Sequence, residues 1–181
     1  YALVPLGRRG VAGTLALGLT GTLFLAESYA VPMPVNLNWD TGPRYAMPWG
    51  AVHRLNDGPL AYRHLLAMPD DTVVMELPFG DSAWDLRYVY YAGLHGKRIV
   101  NGYSGYFPDG YRARAARLAA IWTDREAAWT AVTTSGATHV LVHMDGFREQ
   151  EGPAMVSWLQ VHGARLTTAF DGGDLLFALP R

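Results

Sequence analysis

From Gly10 to Ala26 the chain carries seventeen residues without a charge, with Arg8 and Arg9 before them and Glu27 after. As a helix this run rises about 25 Å, just short of a bilayer's apolar core of about 30 Å. Snorkelling of Arg9, with Glu27, Ser28 and Tyr29 at the interface, makes up the difference. The pattern predicts a transmembrane helix over residues 10–29. The arginine pair places residues 1–9 in the cytoplasm and the remainder in the periplasm or outside the cell. Two other readings compete: a cleavable leader, because Ser28-Tyr29-Ala30 resembles a cleavage site, and a buried helix of a soluble protein. Gly10, Thr14, Gly18, Thr22 and Ala26 recur every fourth position. Such a row lets a second membrane helix approach closely, so the expected partners are the bilayer and other membrane subunits or helices. The chain begins at Tyr1 inside an apolar phrase, which is expected of a processed or truncated product.

The pattern breaks from residue 30 to residue 58. Pro32, Pro34, Pro43 and Pro48, with Asn36, Asn38, Asp40, Asn56 and Asp57, exclude a long helix or a central strand. This is an extended linker. Its Trp39, Tyr45 and Trp49 suit either the headgroup layer or packing on the domain that follows.

Over residues 59–181 short β-branched runs alternate with helical ones. Pro59 opens a helix to Met68, and Thr72–Leu77 is a strand and the centre of a sheet. Asp81 or Ser82 caps a helix from Trp84 to His95, stopped by Gly96. Arg98–Asn101 is the next strand, and Tyr111–Ile121 a helix with Arg112, Arg114 and Arg117 exposed. Thr123 and Glu126 form a capping box for a helix closed by Gly136. Thr138–His143 is a strand, and a helix runs from Gly152-Pro153 to Gly163. Arg165–Phe170 and Asp174–Leu179 pair across Gly172-Gly173. The expected fold is a three-layer-like α/β domain with a mainly parallel sheet and a C-terminal antiparallel hairpin.

Composition removes several function classes. The absence of cysteine excludes disulfides and thiolate chemistry. A net charge of −1 offers no basic footprint for nucleic acid. No motif calls for a cofactor.

Ligands of open α/β sheets bind beyond the carboxyl ends of the strands. Those ends supply Glu76–Gly80, Asn101–Tyr106 and His143–Asp145, and so bring Glu76, Asn101, Tyr103 and Tyr106 together, with Arg87 on the intervening helix. Two readings stand: a site for a polar ligand such as a sugar, with the tyrosines as stacking surfaces, or a Glu76–Arg87 ion pair that fixes the helix on the sheet. His139 and His143 share a strand face but lie about 13 Å apart, too far for one metal ion; no metal is expected, and Asp145-Gly146 reads as a turn. Ser104 lacks the second glycine of a hydrolase elbow.

The phrases ELPFG and RYVYYAGLHGKRIVNGYSGYFP, from Glu76 to Pro108, resemble the C-terminal extracytoplasmic domain of bacterial multi-spanning proteins related to GT-C glycosyltransferases. The resemblance implies a last membrane helix followed by an α/β domain. The catalytic carboxylate of such enzymes lies in an earlier loop that has no counterpart here, so it implies no catalytic residue. Two functions follow as expectations: a non-catalytic accessory subunit of a larger bacterial membrane complex, or the sugar-side domain of a transferase using lipid-linked sugars.

Overall fold

A computed structural model describes residues 10–28, 58–103, 107 and 110–180. The expected cytoplasmic stretch, nearly all of the linker, Ser104 and Tyr106 lie outside the described residues. The chain divides into two units, residues 1–42 and 43–181.

In the first unit, helix α1 spans Gly10–Ser28. Val11, Leu15, Leu19, Leu23, Phe24 and Leu25 are exposed along it. All three threonine hydroxyls turn inward, Thr14 donating to the Gly10 carbonyl, Thr20 to Ala16 and Thr22 to Gly18. An added Cβ at Gly18 or Gly21 would meet nothing. Among the described residues no helix is long and apolar enough to cross a membrane.

The second unit is an α/β domain on a mixed five-stranded sheet. In chain order its elements are α2 (Leu60–Leu66), β1 (Val73–Leu77), α3 (Ser82–His95), β2 (Arg98–Ile99), α4 (Tyr111–Ala119), α5 (Arg125–Thr133), β3 (His139–His143), α6 (Glu151–Val161), β4 (Arg165–Ala169) and β5 (Asp174–Ala178). The strand order is β2-β1-β3-β5-β4. β1 pairs in parallel with β2 and β3, while β5 is antiparallel to both β3 and β4. The sheet is therefore mixed rather than mainly parallel. β2 contributes only two residues, and the hairpin joins the sheet through its second strand, along the full length of β3.

Alternation along the strands makes three layers. Met75, Leu77, Val140, Val142 and Phe177 face α4, α5 and α6, whose Leu118, Val132, Met155 and Leu159 complete that core. Val74, Leu141 and Leu176 face the other way, against Ala61, Tyr62 and Leu65 of α2 and Tyr91 of α3. The first and third of these residues, followed two positions along their strands, lead to Glu76 and Asp174.

Several boundaries differ from the sequence reading for local reasons. Asp81 caps α3, accepting from the amides of Ala83 and Trp84, and Gly96 ends it at φ +68°. The capping box fails: Asp124, not Thr123, caps α5 by accepting from the Ala127 amide. The Thr123 hydroxyl is engaged backwards, on the Ala120 carbonyl. β2 stops at Ile99 because the Asn101 side chain takes over the ladder. Its Oδ1 accepts from the Glu76 amide at 2.7 Å and its Nδ2 donates to the Glu76 carbonyl at 2.9 Å.

Candidate functional site at the carboxyl end of the central strands

Glu76 lies on β1 next to Leu141 of β3, and His143, at the end of β3, lies directly opposite Asp174 of β5. Glu76 and His143 are fully buried. This register draws the three into one chain across the sheet. His143 Nε2 is 2.8 Å from Glu76 Oε2, and Nδ1 is 2.8 Å from Asp174 Oδ1. The Tyr62 hydroxyl of α2 donates to the same Glu76 oxygen at 2.9 Å. The second oxygen, Oε1, has no partner.

Aromatic rings close over the imidazole. Tyr88 stacks on it with centroids 5.2 Å apart, Trp84 lies at 5.7 Å and Tyr62 at 6.0 Å. Burial works against a charge on His143. The hydrogen bonds the imidazole gives to Asp174 and Glu76, together with their negative charges, outweigh it and push its pKa up to about 9. At neutral pH the ring is an imidazolium that donates from both nitrogens, held among π-faces that favour a cation. Burial and the neighbouring Glu76 charge push the Tyr62 hydroxyl well above the usual tyrosine range, so it stays a donor.

The turn that follows β3 (Met144–Gly146) puts Asp145 at the rim. Gly146 is required there, because a Cβ would come within 2.5 Å of Pro78 Cδ and 3.0 Å of Trp84 Cζ2. Arg87 of α3 faces Asp145 at 3.9 Å and lies over the Trp84 ring at 4.9 Å. The expected Glu76–Arg87 ion pair is thus replaced by two separate pairings: Glu76 takes His143 and Tyr62, and Arg87 takes Asp145.

Asn101 is buried, and beyond the Glu76 backbone it donates to Asp85 Oδ1 at 3.0 Å. The other Asp85 oxygen accepts from the Tyr111 hydroxyl. Burial raises the Asp85 pKa, and the hydrogen bonds from Tyr111 and Asn101 oppose it. Asn101 therefore ties β1, α3 and α4 together. Tyr103 stands apart, 45% exposed. Of the expected site residues, Glu76 and Asn101 are sealed and Arg87 and Tyr103 reach the surface. A hollow of about 580 Å³ lies at the other end of β3, lined by Thr138, His139, Arg165 and Leu179 among others.

Tyr62, Asp174 and Trp84 complete the cluster, and sequence reasoning missed all three. The strand-end argument does place His143–Asp145 beside Glu76, but it does not pair the imidazole with the carboxylate. The available signal was a histidine ending an apolar strand, four residues from a first histidine, on the strand face that Glu76 shares. The antiparallel register that brings Asp174 to it has no local signature.

Neither a family model, nor a curated protein, nor a solved structure matches the chain.

Proposed function

We propose that this chain is a membrane-tethered, non-catalytic accessory subunit of a bacterial membrane complex, with its α/β domain on the periplasmic or extracellular side. The observation that carries this reading is α1. A helix that is apolar around its circumference belongs in a protein core or a bilayer, and this one leaves its leucines and Phe24 exposed. Its threonine hydroxyls satisfy themselves on carbonyls one turn back, as a hydrocarbon environment demands. Its described length falls short of a span, so the reading needs Arg9 and Tyr29 at the two interfaces. The row Gly10, Thr14, Gly18 and Thr22 is the face on which a partner helix packs.

The non-catalytic part rests on Glu76 and Asn101, whose hydrogen bonds run inward to the fold. A sugar-side domain of a GT-C-like transferase would need those groups open to a ligand, and no observation favours that second reading.

Purification from native membranes in mild detergent, followed by mass spectrometry, tests the proposal. The natural chain should bring down a stoichiometric membrane subunit, and a chain with Gly18→Leu and Thr22→Leu should come down without it. Recovery of the natural chain alone, or an undiminished partner with the double variant, contradicts it. Finding the chain covalently continuous with further membrane helices would favour the transferase reading.

A further inference from the structure

We propose that His143, Asp145 and Asp174 form a binding site for one divalent transition-metal ion, of the kind that accepts a mixed imidazole and carboxylate set. One ligand atom from each of the three lies within 4.8 Å of the others. They come from the end of β3, the turn after it and the start of β5, so the sheet register itself holds them together. One nitrogen with two carboxylate oxygens suits zinc, manganese or ferrous ion better than the oxygen-only preference of calcium or magnesium.

The residue behind the ligands points the same way. Metal-binding histidines generally donate their second ring N–H to a carboxylate, which fixes the ring and raises its basicity. Glu76, fully buried, occupies that position at 2.8 Å from Nε2. This orients Nδ1 toward Asp174 and the rim. The other oxygen of Glu76 is buried without a partner, so the inner carboxylate is only partly compensated.

Three carboxylates, those of Glu76, Asp145 and Asp174, gather around His143, and the Arg87 guanidinium faces Asp145. The way in is open, since the Asp145 side chain is 54% exposed and that of Asp174 15%. Arg87, 3.9 Å from Asp145, is the resident competitor for that carboxylate. Three protein ligands leave the ion a position for water or for an anionic group from outside. This site stands independently of the membrane reading.

Calorimetric titration of the chelator-treated full chain with zinc ion tests the proposal, alongside visible absorption after cobalt(II) addition. One ion per chain should bind. Asp145→Asn should weaken binding about tenfold or more, and Asp174→Asn should remove the cobalt bands. Arg87→Gln should tighten binding, since it frees Asp145. Asp145 lies at the surface with Arg87 opposite it, so Asp145→Asn leaves the core intact, which near-UV circular dichroism checks. Absence of saturable binding, or unchanged affinity in Asp145→Asn, overturns the proposal and assigns any bound ion to the other histidines.

Discussion

His143 is where the chemistry of this domain concentrates. Its two nitrogens are spent on Glu76 and Asp174, and three aromatic rings enclose it. Its pKa of about 9 in the folded chain lies above the usual value near 6.5. Raised folded-state values stabilise at low pH: the contribution is fully present below about pH 6.5 and disappears as pH rises through about 9. The difference corresponds to a stabilisation on the order of 3 kcal/mol. In chelator-treated protein, urea unfolding should therefore show stability falling between pH 7 and pH 9.5. His143→Gln should be less stable at pH 7 and lose most of that slope. An equal slope in both proteins would remove the imidazolium from the account.

At the scale of elements, Asn101 shows how a side chain replaces a strand. It pairs both backbone groups of Glu76 and then reaches Asp85 of α3, whose other oxygen receives Tyr111 of α4. Removing a partner from buried groups costs about 1–3 kcal/mol each. Asn101→Ala should destabilise the domain by at least about 2 kcal/mol and speed hydrogen exchange at the Glu76 amide; retained protection there would show that the ladder closes without it. The caps of α3 were legible because Asp81 and Gly96 act on neighbours in sequence. So was the turn at Asp145-Gly146. β1 and β3 were legible from their β-branched residues, and the hairpin from Gly172-Gly173, both at positive φ. The antiparallel hairpin was expected, but its attachment through β5 to β3 was not, because that pairing is a long-range choice. For the same reason Glu76 was matched to Arg87 in sequence reach, while its partners Tyr62 and His143 lie 14 residues before it and 67 after it. The α5 cap was misplaced by one residue because Thr123 and Asp124 are both competent, and the threonine hydroxyl is occupied by the preceding turn.

For the whole molecule, two features set the account: an apolar helix with exposed leucines in the first unit, and a domain in the second whose central carboxylate is closed in. Buried polar groups of this kind hold two helices and three strands to one arrangement. The proposed membrane tether rests on the helix alone. Alkaline carbonate extraction of native membranes containing the full chain tests this most directly. The account predicts that the chain stays in the membrane pellet, and that Leu15→Lys with Leu19→Lys releases it. Release of the natural chain into the supernatant would contradict the membrane-tethered reading at its root.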